Sequence, residues 1–294
     1  MSSGRSQADK GRSFSAKSSV GRSADESART CRTSEIFLDD SETRRKCMKW
    51  VLIAGISGAI GHALAERLLE QDAELSIVGL CRNPSAVDVG AGIGDRVQLI
   101  PWDASRSDDA ETLAERLSVA VPAETGIDTV IYAAGILHGP DMSPEKRLED
   151  LDARAFAHAF AVNATGFAML MRAISPWLRH RRFKRVLAIS AKVGSISDNG
   201  FGGWYAYRSS KAALNMLVRN LAIELPRKYH PLACVAVHPG TTISPLSEPF
   251  TRSLAQLRVH QPKQTADNIL RVAGNLTEDD NGAFLSWDGS VIPW

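Results

Sequence analysis

Short apolar runs alternate along this chain with stretches in which apolar residues recur every third or fourth position. Residues 50–54, 74–80, 96–103, 127–132, 185–190 and 233–238 read as strands, each closed by Gly, Pro, Asn or small residues. Between them, residues 62–69, 107–117, 150–178 and 207–225 carry helical periodicity, with Ser107 or Asp108 as a cap for the second. Near-continuous apolar strands alternating with helices at this pace imply a parallel sheet covered on both faces. Ligands of such sheets sit at the carboxyl ends of the strands.

Several sequence features fall at those ends. The first strand runs into Gly55-Ile56-Ser57-Gly58-Ala59-Ile60-Gly61 and then a helix. Glycines there let the backbone turn sharply and approach a pyrophosphate, whose charge meets the first amides of the helix. A plain strand-to-helix turn is the competing reading. The second strand ends at Cys81-Arg82-Asn83-Pro84 without an acid. An acid there suits the ribose hydroxyls of NAD and an arginine suits a 2′-phosphate, so Arg82 points to NADP(H), with NAD(H) as the other option. Asp103 closes the third strand, and Ala133-Ala134-Gly135 closes the fourth with little bulk.

Tyr207 and Lys211 stand one helical turn apart in Trp204-Tyr205-Ala206-Tyr207-Arg208-Ser209-Ser210-Lys211, so phenol and ammonium share a face. A cation beside a phenol favours phenolate and lowers a pKa that starts near 10, as a general acid requires. An amphipathic helix with a solvated lysine is the bland alternative. Asn163 lies inside the long helix 150–178, where an interior polar group is the ordinary reading. The basic cluster 179–184 that follows reads as a solvated helix end complementing the dipole.

Composition narrows the class. A chain of 294 residues, 44% hydrophobic with a formal charge of +2, can bury a large core and carries no overall bias toward nucleic acid or anionic membrane. It contains no apolar run long enough to span a bilayer. Cys31, Cys47, Cys81 and Cys234 lack metal-site or disulfide spacing, which fits a reducing, cytoplasmic setting. Residues 1–47 are Ser- and Arg-rich with few apolar side chains, and read as a disordered extension ahead of one domain at 48–294. An organellar signal or a basic nucleic-acid arm are competing roles for it, the acids at Asp25, Glu26, Asp39 and Asp40 opposing the first.

Taken together, the glycine turn, Ser190-Ala191-Lys192-Val193-Gly194-Ser195, the Tyr207 helix and the closing Asp288-Gly289-Ser290-Val291-Ile292-Pro293-Trp294 resemble the short-chain dehydrogenase/reductase family. The resemblance covers 48–294 and is greatest to its carbonyl-reductase branch, with sniffer-like and C-factor-like proteins. It implies an α/β fold with one doubly wound parallel sheet, Rossmann-like and three-layered. It also implies a homo-oligomer joined through the Asn163 and Tyr207 helices, acting on a small carbonyl or alcohol substrate without metal.

Residue by residue, the resemblance makes Tyr207 the acid, Lys211 its partner at the nicotinamide ribose, and Asn163 the holder of a water linking Lys211 to solvent. Gly55, Ser57, Ile60 and Gly61 would line the pyrophosphate, Arg82 would meet the 2′-phosphate, and Asp103, Ala134 and Gly135 would surround adenine. Pro239, Gly240, Thr242 and Ser244 would hold the carboxamide, and Val193, Ile196, Trp204, Tyr205 and Leu246 would supply the substrate pocket.

The chain departs from the family at Ala59, where a glycine is usual, and at Ala133, where an asparagine is usual. It departs again at Ala191, in direct register with the serine that orients the carbonyl. Ser190 is taken for that role, with Ser195 as the alternative; without either, the oxyanion lacks a donor worth about 2–4 kcal/mol. A signalling protein of C-factor type that binds NAD(P) with little turnover is the reading from another class.

Overall fold

The computed structural model describes residues 50–88, 96–106, 110–122, 125–249 and 258–294. The 1–47 extension and the caps Ser107 and Asp108 lie outside the described residues.

Seven parallel strands form the sheet: β1 (Trp50–Ala54), β2 (Ser76–Cys81), β3 (Val97–Pro101), β4 (Thr129–Tyr132), β5 (Lys184–Ile189), β6 (Leu232–His238) and, at the edge, β9 (Phe284–Ser286). Their order is β3-β2-β1-β4-β5-β6-β9, and the reversal beside β1 opens the crevice in which doubly wound sheets take ligands. A separate parallel pair, β7 (Thr241–Thr242) with β8 (Val259–His260), follows β6. No helix of the described residues is long and apolar enough to cross a membrane.

Alternation along each strand sends side chains to two cores. Leu52, Val78, Val130 and Val186 face α2 (Ala110–Ala120), α4 (Gly166–Ile174) and α5 (Tyr205–Glu224). Val51, Ile77, Ile131 and Leu187 face α1 (Ala59–Gln71) and α6 (Pro262–Asn275). Because both faces are covered, the strands are apolar on both sides, which is why they are visible as unbroken runs. The seventh strand and α6 were not among the elements expected from the sequence.

The helix expected over 150–178 is interrupted. It comprises α3 (Ala153–Phe160), capped by Asp152 accepting from Ala155 N at 2.8 Å, a π turn at Ala161–Thr165, then α4 and a 3₁₀ turn at Ser175–Leu178. A π turn adds a residue to the helical circuit and re-aims the side chains on it. Here the Val162 carbonyl accepts from the hydroxyl of Tyr132, the last residue of β4. Tyr132 is itself fully buried, its ring 6.3 Å from that of Trp102 and 5.4 Å from that of Phe167. The end of β4 therefore anchors the turn that presents Asn163.

The basic cluster after this helix is a solvated end only at Arg179 and Arg181, which are exposed. Lys184 begins β5 with no exposed surface, and its ammonium donates to the carbonyls of His180 and Arg182, each at 2.7 Å. Arg182 forks onto buried Asp128 at 2.5 and 3.1 Å. Lys184 is fastened because the strand it begins leaves its ammonium no route to water, whereas Arg182 keeps part of its side chain exposed. Burial pushes the Lys184 ammonium down to about 8.

Candidate active site

The glycine turn joins β1 to α1. Gly55 has a positive φ of 88°, and a Cβ there would lie 2.7 Å from Ala134 N, so only glycine lets the turn pass over the end of β4. A Cβ on Gly61 would fall 2.2 Å from Gly55 O. The first turn of α1 thus sits directly on the loop. Ser57 is exposed and Ile60 half-buried beside it. A groove of ≈ 550 Å³ runs from Ser57 and His62 to Pro245 and Lys263, between the starts of α1 and α6.

Arg82 stands exposed just past β2; against the cost of burial, the Asp103 carboxyl is held below the usual range by its hydrogen bonds from Ser105 and, less, by the Arg82 charge. Asp103 accepts from Ser105 N at 2.9 Å and from Ser105 Oγ at 2.8 Å. Both residues lie at the carboxyl ends of neighbouring strands, as the sequence reading placed them.

Lys211 and Asn163 come together beside Gly135, and Tyr207 lies one turn before Lys211 on α5. A methyl group added at Gly135 would sit 3.4 Å from Asn163 Oδ1 and 3.5 Å from Lys211 Nζ. Asn163 is fully buried with three hydrogen bonds: Oδ1 accepts from Ile136 N at 2.8 Å, while Nδ2 donates to Ile136 O and to Ser210 Oγ, each at 2.9 Å. Ser210 Oγ in turn donates to Tyr207 O at 2.8 Å. The chain Ile136–Asn163–Ser210–Tyr207 ties the β4 loop to the first turns of α5. Ser210 was not singled out from the sequence, where it is one of a pair of ordinary helix serines.

Lys211 donates to Ile189 O at 2.9 Å, and its Nζ lies 5.9 Å from the centre of the Tyr207 ring. Burial lowers the ammonium to about 7 and raises the phenol to about 12. Among protein groups alone, desolvation outweighs the attraction that the one-turn spacing offers, so the lowered phenol pKa expected from the sequence is not a property of the residue pair by itself.

Ser190 closes β5 with its hydroxyl buried and donating to Asn215 Oδ1 at 2.7 Å; Asn215 Nδ2 reaches Gly194 O at 3.3 Å. Ser195 donates to Pro293 O at 2.6 Å. Both serines thus tie down the 191–195 loop, one to α5 and the other to the final residues. Ala191 is half-buried between them. Past β6, Pro239 is buried and Gly240 takes a φ of 78° against the His260 ring. Thr242 Oγ1 pairs with Thr265 Oγ1 at 2.8 Å, and Ser244 Oγ donates to Thr242 O at 3.4 Å. Burial drives His238, just before Pro239, down to about 4, so its imidazole is neutral near neutral pH. Of the expected pocket residues, Val193, Trp204, Tyr205 and Leu246 are half-buried and Ile196 is exposed.

The short chain dehydrogenase family profile matches residues 49–254. The 1-hydroxy-2-glutathionyl-2-methyl-3-butene dehydrogenase of Rhodococcus sp. (strain AD45) is 27% identical over 249 residues, 84% of this chain and all 100% of that protein. C-signal of Myxococcus xanthus is 33% identical over 147 residues, 50% of this chain and 83% of that protein. Among solved structures, the NADPH-bound carbonyl reductase from chicken fatty liver shares the fold with a TM-score of 0.71 at 22% identity, over 84% of this chain and 94% of that one.

Proposed function

The chain belongs to the short-chain dehydrogenase family, and from that premise we propose that it is an NADP(H)-dependent oxidoreductase that reduces an aldehyde or ketone, or oxidises the alcohol. The observation that carries this reading is Lys211 held between Gly135 and the end of β5, with Asn163 beside the same glycine and the Tyr207 ring 5.9 Å from the ammonium.

The crevice fits a dinucleotide. The Gly55 and Gly61 contacts leave no room for a Cβ, so the turn is bare backbone at the start of α1, where the charge of a pyrophosphate would meet the first helical amides. Gly55, Ser57, Ile60 and Gly61 would hold the pyrophosphate, Arg82 the 2′-phosphate, and Asp103, Ala134 and Gly135 the adenine side. Pro239, Gly240, Thr242 and Ser244 would hold the carboxamide. When bound, the reduced nicotinamide supplies a hydride.

Tyr207 gives its hydroxyl proton to the carbonyl oxygen and regains it through Lys211. The Lys211 ammonium would bond the nicotinamide ribose and, with the charge of an oxidised ring, would offset the burial that otherwise holds the phenol at about 12. Asn163 fixes the β4 loop and a water that returns protons to Lys211. Ser190 reaches the carbonyl oxygen only by releasing Asn215, so Tyr207 carries most of the polarisation. Met216 and Ile223, exposed on α5, supply an apolar face for a second copy of the chain.

NADPH oxidation against a panel of aldehydes and diketones tests this reading. Turnover lost in Tyr207→Phe with NADPH affinity retained is the expected result. Turnover unchanged by that substitution would overturn it. The second reading, a dinucleotide-holding signalling protein, is favoured by Ala191 and by the C-signal likeness over half the chain. Tight NADPH binding with no turnover across the panel would select it.

A further inference from the structure

Helix α5 carries Tyr207 in its first turn but has no cap of its own. Its N-cap residue, Trp204, is left-handed at φ 52° and makes no side-chain bond to the helix amides. Four amides at a helix start need acceptors from elsewhere. Glu145, on the loop that follows β4, supplies them twice: its carbonyl accepts from Trp204 N at 2.5 Å and its Oε2 from Ala206 N at 3.3 Å.

Glu145 is 4% exposed, and its Oε1 is buried with no hydrogen-bond partner. A carboxylate held out of water on a single long bond is costly, and the positive end of α5 is the compensation at hand. The amide that Glu145 Oε2 accepts from, Ala206 N, is one residue before Tyr207, and Glu145 is on the same loop whose Ile136 grips Asn163 and, through Ser210, Tyr207 O.

We infer that Glu145 is a positioning residue for Tyr207: it caps the catalytic helix from the β4 loop, so that phenol and nucleotide-facing loop keep one geometry. The inference rests on the reductase reading. Tyr207 is held from both sides, by Glu145 at the helix start and by Ser210 one turn on. Loss of the cap frees the first turn, and a displacement of about 1 Å is enough to cost on the order of a hundredfold in rate.

The test uses the full chain with Glu145→Ala, Glu145→Gln and Glu145→Asp. Glutamine keeps an acceptor at the same reach, whereas aspartate keeps the charge but stops a methylene short. Glu145→Ala and Glu145→Asp are expected to lose roughly 10–100-fold in kcat, with KM and the NADPH dissociation constant within about threefold. Glu145→Gln is expected to stay within about threefold of the parent in all three. Amide exchange at Ala206 and Tyr207 should quicken at least roughly tenfold in the first two variants and not in the third. Unchanged kcat in Glu145→Ala, or Glu145→Gln as impaired as Glu145→Ala, would overturn the assignment. Should Glu145→Ala fail to fold, the Asp and Gln pair decides it. Tyr207→Phe is run alongside: turnover surviving there overturns the reductase reading instead, and the cap is then judged by exchange alone.

Discussion

Lys211 bonds the carbonyl of Ile189 at 2.9 Å while its ammonium stands 5.9 Å from the centre of the Tyr207 ring. The lysine is thus fixed by the end of β5, and the phenol is not its hydrogen-bond partner. In the protein without added cofactor, burial holds Tyr207 at about 12. Tyrosinate absorbance should therefore show no difference between the parent and Tyr207→Phe below about pH 10. With oxidised cofactor bound, the difference should move at least about two pH units lower. An ionisation assigned to Tyr207 near its ordinary value without cofactor would contradict this account.

Lys211 itself is a source of instability. Its pKa falls from 10.5 to about 7 in the folded chain, so between those values the unfolded chain holds a proton that the folded chain lacks. Stability from this group accordingly rises with pH across that window, and the burial cost is full below about pH 7. Lys211→Met should abolish turnover yet raise stability near pH 6.5 by about 1–4 kcal/mol. That corresponds to roughly 2–4 °C in Tm per kcal/mol. The gain should shrink above pH 9, and a melting series on both proteins checks it.

Gly61 tests the cradle. A Cβ there would lie 2.2 Å from Gly55 O, a backbone atom that cannot swing away. Gly61→Ala should push the turn off α1, weaken NADPH binding at least roughly tenfold, and cost about 1–3 kcal/mol in denaturant unfolding. The neighbouring Gly58, whose Cβ would meet Gly55 O at 3.3 Å, should tolerate alanine far better.

Arg82 tests the cofactor choice. It is exposed at the end of β2 with Asp103 as its electrostatic neighbour. Arg82→Ala should weaken NADPH binding about 10–100-fold and leave NADH within about twofold, because only the former carries a 2′-phosphate. Equal losses for both would move the phosphate contact elsewhere.

The sequence was legible where local pattern and tertiary role agree. β1, β2, β4, β5 and β6 are almost wholly buried and stand out as apolar runs, the edge strand β3 keeps enough apolar residues to be seen, whereas β9 spans only Phe284–Ser286 and is too short to show a period. Helix α6 did carry a signal, Pro262 at its start and a Gln261/Gln264 capping box, but its polar Lys263, Gln264, Asp267 and Asn268 diluted the apolar stripe. The π turn at Asn163 depends on the Tyr132 hydroxyl, a partner from another strand, and no local pattern announces it. Lys184 and Arg182 looked solvated because their acceptors, backbone carbonyls and Asp128, are brought in by the fold. Glu145 and Ser210 were passed over for the same reason: a polar residue's role at a distance is not written in its neighbours.

Ala191 provides the sharpest test of the site's chemistry. It follows Ser190 directly, and successive residues leaving a strand point to opposite sides. Ser190 is committed to Asn215, and residue 191 is extended at φ −146° and ψ 143°, so a hydroxyl there would lie on the opposite side of the backbone and be free of that bond. Ala191→Ser should then add a donor at the carbonyl oxygen and raise kcat for aldehydes about 10–100-fold, part of the 10²–10³ that one such donor is worth elsewhere. Ser190→Ala should act differently, leaving Asn215 Oδ1 buried without its partner and costing about 1–3 kcal/mol of stability. Steady-state rates and melting curves on the two variants separate these roles. If Ser190→Ala alone removes turnover with stability intact, Ser190 swings from Asn215 to the substrate and the extra hydroxyl at 191 is redundant.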